Sequence, residues 1–150
     1  MLEDSNILIG THRMVKDLDR ETTHICAAYG LTFPQFMVLE ALLHKGCLTV
    51  GEIKDSILSS NGTIPVIINN LAKQEMVRRV KDPKDQRKSV VELTEKGREL
   101  IERVYPENEK KFTERFNVWT TEEKQELIRL IGKYHAGLEE TEKRQEDKNA

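Results

Sequence analysis

Three observations predict a mainly α-helical chain with a small β-wing. First, Thr49 to Leu58 and Thr63 to Glu75 carry apolar residues at helical spacing, with Val50, Ile53, Ile57 and Leu58 in one and Ile64, Ile67, Ile68 and Leu71 in the other. Second, Ser59-Ser60-Asn61-Gly62 between them is a turn signal. Third, two β-rich runs follow, Val77 to Lys81 and Ser89 to Leu93, separated by the charged stretch Asp82-Pro83-Lys84-Asp85-Gln86-Arg87-Lys88. Helix, turn, helix and charged hairpin in this order describe a winged helix-turn-helix, a shape that fits DNA grooves.

The remaining elements read in chain order. Residues 2–29 form a first helix, with Ile7, Leu8, Met14, Val15, Leu18, Ile25 and Cys26 as candidates for burial and Gly30 as its stop. Leu31-Thr32-Phe33-Pro34 opens the second helix, Thr32 serving as N-cap with proline in the first turn. Phe36, Leu39, Leu42 and Leu43 supply its core face, and Lys45-Gly46 ends it. Pro65 constrains the later recognition helix, because its missing N–H is harmless only in a first turn. That helix is therefore expected to begin near Asn61 or Gly62 and to run to Glu75.

After the hairpin, Thr94-Glu95-Lys96-Gly97 starts a long helix through about Trp119, which Pro106 should kink. Thr120 or Thr121 caps the last helix without a full capping box, and Leu127, Leu130, Ile131, Tyr134 and Leu138 line one of its faces. From Glu139 onward the chain is almost wholly polar and is expected to fray. Residues 1–30 and 99–150 are thus expected to form a helical dimerisation region beside a winged helix-turn-helix DNA-binding domain at 31–98. The terminal helices offer more apolar surface than one small domain can cover. An isologous homodimer supplies the rest, and its two reading heads suit a two-fold symmetric operator.

Composition narrows the function classes. The 150 residues are 37% hydrophobic and 33% charged, enough for one modest core. No apolar run approaches the roughly 20 residues needed to span a bilayer, and the acidic start Met1-Leu2-Glu3-Asp4 does not resemble a secretory signal. A cytoplasmic location without membrane attachment is expected. Two cysteines, Cys26 and Cys47, are too few for a disulfide scaffold, and no CxxC pair suggests zinc. There is no Gly-rich phosphate loop, no nucleophile elbow and no metal triplet at useful spacing, so neither an enzyme nor a cofactor is expected.

The net charge of −2 hides an asymmetry. Residues 61–90 hold seven basic side chains, Lys73, Arg78, Arg79, Lys81, Lys84, Arg87 and Lys88, against Glu75, Asp82 and Asp85. That segment is +4, so the remainder is −6. A basic patch on an acidic body directs phosphate to one face. It also separates a DNA reader from a winged-helix module that docks a protein, which needs no such pattern.

Candidate DNA contacts follow from helix geometry and side-chain chemistry. Ile64, Ile67, Ile68 and Leu71 mostly pack inward, leaving Ser60, Asn61, Thr63, Pro65, Val66 and Asn69 to face a groove. Asn61 and Asn69 can hydrogen-bond base edges, Ser60 and Thr63 a base or a phosphate, and Pro65 and Val66 can touch thymine methyls. Gly62 belongs to the helix start, whose backbone N–H groups suit a phosphate. In the hairpin, Lys84 and Lys88 are phosphate contacts. Asp85, two residues before Arg87, is within reach to hold its guanidinium by paired hydrogen bonds.

These residues resemble the MarR (multiple antibiotic resistance regulator) family of bacterial transcription factors. The matching stretches are Leu31-Thr32-x-x-Gln35-Phe36-x-Val38-Leu39, Thr49-Val50-x-Glu52-Ile53, Asn61-Gly62-Thr63-Ile64, Asn70-Leu71 and Val77-Arg78-Arg79. The most specific are Asp82-Pro83-x-Asp85-x-Arg87 and Val91-x-Leu93-Thr94-x-x-Gly97. The resemblance implies a homodimer that binds double-stranded DNA at a palindromic operator, usually as a repressor released by a small molecule or oxidant. It also implies that Arg87 enters the minor groove, where narrow A·T-rich stretches attract a guanidinium. Gln86 departs from the commoner arginine there, which removes one charge. Ile57-Leu58, Leu43-His44-Lys45-Gly46 and Tyr105-Pro106 are similar to the quinone- and phenol-responsive branch.

In that family the effector pocket lies where the dimer helices meet the winged domain. His12, Arg13, Lys16, His24, Tyr29 and Phe36 are the candidates here, and a small aromatic or phenolic effector fits their mixed chemistry. The alternative is thiol-based redox sensing through Cys26 or Cys47. Cys26 reads as packing among Ile25, Ala27 and Ala28, and Cys47 in the Gly46-Cys47-Leu48 loop is the more accessible.

Overall fold

The computed structural model describes residues 2–57 and 63–149. Among the described residues six helices and one hairpin follow in the order α1 (Leu2–Ala28), α2 (Phe33–Lys45), α3 (Val50–Ser56), α4 (Ile64–Lys73), β1 (Val77–Lys81), β2 (Ser89–Leu93), α5 (Glu95–Phe116) and α6 (Thr121–Asn149). This is a mainly α fold with a β-wing, as the sequence predicts. Two compact units are present, Met1–Lys111 and Phe112–Ala150.

In the first unit α2 is the central element. Its run Phe36-Met37-Val38-Leu39 is buried, as are Ala41 and Leu42, so the helix is covered on most sides and needs no sharply amphipathic pattern. Its start is set by a capping box. The Gln35 amide donates to Thr32 Oγ1 at 3.3 Å and the Thr32 amide to Gln35 Oε1 at 3.1 Å, with Pro34 in the first turn. Ile53, Ile64, Ile68 and Leu71 from α3 and α4, Val91 from β2, and Ile101 and Val104 from α5 complete the core. A second capping box, Thr49 with Glu52, starts α3.

The hairpin is antiparallel, with Val77 opposite Leu93, Arg79 opposite Val91 and Lys81 opposite Ser89. An isolated bridge between Leu48 and Val91, with N–H···O distances of 3.1 and 2.7 Å in the two directions, ties it to the chain before α3. One polar contact is deep in this unit: Thr22 Oγ1 donates to Asn108 Oδ1 at 2.8 Å, joining α1 to α5, and both residues are buried.

Several expectations are corrected. The recognition helix begins at Ile64, later than Asn61 or Gly62, with Thr63 as N-cap and Pro65 still in the first turn. It ends at Lys73, and Glu75 takes a left-handed conformation at φ 59°. Its amide and that of Met76 return to the carbonyls of Ala72 and Leu71, closing the helix end. Helix α5 includes Pro106 and stops at Phe116, short of Trp119.

In the second unit Thr120 and Glu123 do form a full capping box. The Thr120 amide donates to Glu123 Oε2 at 2.8 Å and the Glu123 amide to Thr120 Oγ1 at 3.2 Å. The polar segment after Glu139 stays helical to Asn149, consistent with its many Glu and Lys residues, which lose little side-chain freedom in a helix. Apolar residues are left outside the core at both ends of the chain. Ile7 and Leu8 on α1 and Ile128, Leu130, Ile131 and Tyr134 on α6 are exposed, whereas Ile25 and Cys26 are buried.

Candidate nucleic-acid interface

Helix α4 divides its residues cleanly. Ile64, Ile68 and Leu71 point into the core, while Thr63, Pro65, Val66 and Asn69 are exposed. Asn69 lies four residues after Pro65 and three after Val66, so it neighbours both on the exposed side of the helix. Leu58 and the predicted contacts Ser60, Asn61 and Gly62 lie outside the described residues. The Thr63 side chain makes no cap hydrogen bond to α4.

The tip of the hairpin is built by two aspartates. Asp82 Oδ1 accepts from the Lys84 amide at 2.8 Å, and Asp85 Oδ1 accepts from the Arg87 amide at 3.1 Å. Backbone bonds from Asp82 N to Lys88 O and from Lys88 N to Asp85 O, each 2.9 Å, close the loop. Side chains that satisfy backbone two residues on are how aspartate favours turns. The turn-closing role of Asp82 is not read from the sequence, where the residue counts as charge and as part of the wing motif.

Arg87 stands out from this tip with 93% of its side chain exposed. Asp85 reaches it through a single guanidinium atom, Nε, at 3.3 Å, the same carboxylate oxygen also receiving the Arg87 amide. The expected pair of guanidinium hydrogen bonds is thus replaced by one backbone and one side-chain donor, which leaves the terminal Nη groups outside this contact. Lys84 and Lys88 are exposed beside it.

Two further arginines rise from β1. Arg78 Nε donates to Glu92 Oε1 at 2.5 Å and holds the Glu92 carboxyl below its usual range. Arg79 Nη2 donates to Asn69 Oδ1 at 3.1 Å, linking the wing to the exposed face of α4. That bond crosses ten residues of sequence between two elements, and no local pattern announces it.

The predicted effector residues are not gathered into one place. His12, Arg13 and Lys16 are exposed together along α1, but His24 lies eight residues beyond Lys16, about 12 Å of helix rise. Phe36 belongs to the core, only 2% exposed, which removes it from the candidates for direct ligand contact in this conformation. Tyr29 is half-buried. Its hydroxyl donates to Glu107 Oε2 at 2.7 Å, which raises its pKa, and Arg103 lies 6.0 Å from its ring centre.

Neither cysteine has an activating environment. Cys26 is fully buried, and burial pushes its thiol up to about 11. Cys47 is exposed, but partial desolvation and then its 3.4 Å hydrogen bond to the Glu92 carboxylate raise its pKa. A reactive thiol needs the opposite shift.

Comparison with known proteins decides the family. The family described as transcriptional regulator SarA/Rot matches residues 21–104. The HTH-type transcriptional regulator MhqR of Bacillus subtilis (strain 168) is 30% identical over 129 residues, covering 84% of this chain and 87% of that protein. This chain belongs to the MarR/SarA family of transcriptional regulators. Like its relatives it is a DNA-binding regulator and not an enzyme. A MarR family protein from Bacillus stearothermophilus has the same fold, with a TM-score of 0.73 and 24% identity over 91% of this chain and 95% of that one. Bordetella bronchiseptica BpsR, whose DNA binding is regulated by 6-hydroxynicotinic acid, aligns with a TM-score of 0.71 and 25% identity, covering 83% and 89% of the two chains. Among the described residues of this MarR/SarA regulator, no single helix is long and apolar enough to cross a membrane.

Proposed function

We propose that this regulator is a cytoplasmic homodimeric repressor that reads a palindromic operator and releases it on binding a small aromatic or phenolic ligand. The observation that carries the DNA reading is the pairing of an exposed α4 face (Thr63, Pro65, Val66, Asn69) with a wing that projects Arg87. An α-helix fits the major groove and an extended arginine the minor groove, so each element suits a different part of one site. Ser60, Asn61 and Gly62 before α4, and Lys84, Asp85 and Lys88 around Arg87, complete the proposed contact set. The +4 segment favours DNA over a protein as the partner of this wing.

Homodimerisation through residues 1–30 and 99–150 is supported by the exposed apolar side chains of α1 and α6, which a second copy would cover. Release by an aromatic ligand is supported by the similarity to BpsR, whose DNA binding is regulated by the hydroxylated aromatic acid 6-hydroxynicotinic acid. Tyr29, with Arg103 and Glu107 beside it, offers a stacking surface and both charges, and His12, Arg13, Lys16 and His24 offer donors along α1. A ligand need favour the non-binding spacing of the two heads by only a few kcal/mol to shift the population. Thiol sensing is the second reading, and the raised thiols of Cys26 and Cys47 weigh against it.

Selection of bound sequences from a random DNA pool tests the reader, with enrichment of a palindrome expected and no enrichment contradicting it. A Cys26→Ser, Cys47→Ser variant assayed on that operator with phenols, quinones and peroxides tests the switch. Release by phenols in both forms is expected. Release of wild type by oxidants alone, with the cysteine-free form unresponsive, would make thiol chemistry the switch.

A further inference from the structure

We propose that Arg79 sets base specificity by holding the Asn69 amide oxygen at the wing, so that Asn69 meets DNA as a donor and selects a G·C pair over an A·T pair. The inference rests on the reading of α4 as the groove-facing helix. Asn69 is exposed on the same face as Pro65 and Val66, and Arg79 Nη2 lies 3.1 Å from its Oδ1. A guanidinium carries donors only, so the amide atom it meets is the oxygen, and one of the two amide flips is thereby fixed.

The base preference follows from the atoms that remain. Adenine is read by an asparagine that donates to N7 and accepts from the N6 amino group at once. Guanine presents two acceptors, N7 and O6, on the same edge. An amide oxygen that already accepts from a cationic donor at the wing is a poorer and misdirected acceptor for the adenine N6 amino group, while the two N–H donors of the amide nitrogen match the two acceptors of guanine. The anchor is firm, because Arg79 sits opposite Val91 in the hairpin, and Val91 is 1% exposed and bonded in both directions to Leu48. Arg79 is a positioning residue, acting on the base through Asn69.

The test is selection from a random DNA pool with wild type, Asn69→Ala, Arg79→Ala and the double variant, each checked for an unchanged melting temperature. Both side chains are exposed, so the variants are expected to fold. The position whose preference flattens in Asn69→Ala is the pair Asn69 reads. At that position wild type is expected to select G·C, Arg79→Ala to gain A·T several-fold, and the double variant to match Asn69→Ala. Preferences elsewhere should not move. An A·T pair in wild type would overturn the proposal. So would an Arg79→Ala effect that lowers recovery of all sequences evenly, as loss of a phosphate contact does, or an Asn69→Ala variant that flattens no position. Failure of wild type to enrich any sequence would instead overturn the DNA reading itself, and this inference with it.

Discussion

The backbone of Gly97 lies directly against the carbonyl of Met76: a Cβ on Gly97 would stand 1.9 Å from the Met76 oxygen. That carbonyl also accepts from the Thr94 amide at 3.1 Å, and Thr94 Oγ1 accepts from the Gly97 amide at 3.1 Å. The start of α5 is therefore fastened to the turn that feeds the wing, and only glycine permits the approach. Gly97→Ala should destabilise the fold by at least the ~1–3 kcal/mol typical of overpacking, since the obstructing atoms are backbone. Urea denaturation should show a lowered midpoint, and an unchanged midpoint would mean that this junction yields easily.

Glu75 presents the reverse case. Its φ of 59° costs an L-residue about 1–2 kcal/mol, yet among the described residues it is the backbone of Glu75 that is used, the amide donating to the Ala72 carbonyl at 3.0 Å and the carbonyl accepting from Thr94 Oγ1 at 2.6 Å. Glu75→Gly should be neutral to stabilising by up to about 1 kcal/mol, part of the relief being offset by the freer unfolded chain. A clear loss of thermal stability would contradict this.

These two positions show where the sequence is legible. The hairpin strands and the Thr32 cap are local events, written in residues a few positions apart, and they appear where expected. The start of α4 is misjudged because Pro65 is tolerated at either of the first two helical positions. The Thr120–Glu123 box is missed although its spacing is diagnostic. Thr22 with Asn108, Leu48 with Val91 and Arg79 with Asn69 are matched only in three dimensions, so no window of sequence reveals them. The same holds for Phe36, whose aromatic character suits a ligand site and a core equally.

The Thr22–Asn108 bond is buried, so removing one partner should cost more than removing both. Thr22→Val deprives Asn108 Oδ1 of this donor and should destabilise by about 1–3 kcal/mol. Thr22→Val with Asn108→Leu should cost less than the sum of the single changes. Strict additivity in denaturant melts would show that the pair does not act as a unit.

Cysteine chemistry gives a pH signature. The Cys26 thiol is raised from 9.0 to about 11, so the folded protein keeps this proton after the unfolded chain has lost it. Its contribution to stability is complete below pH 9 and is lost as the pH rises through the interval to 11. Cys26→Ala should flatten that part of the stability curve. At pH 8 both thiols should alkylate slowly in the native state, and denaturant should release Cys26 to normal reactivity. Rapid native alkylation of Cys26 would contradict its burial.

Fluorescence anisotropy of a selected operator duplex, titrated with wild type, Arg87→Ala and Lys84→Ala over a salt series, bears most directly on how the wing and α4 read DNA. Arg87→Ala should weaken operator binding by roughly 1–3 kcal/mol, and Lys84→Ala should cost less and lower the salt slope by about 1. A larger loss for Lys84→Ala than for Arg87→Ala, or equal wild-type affinity for operator and scrambled duplex, would contradict groove reading by this surface.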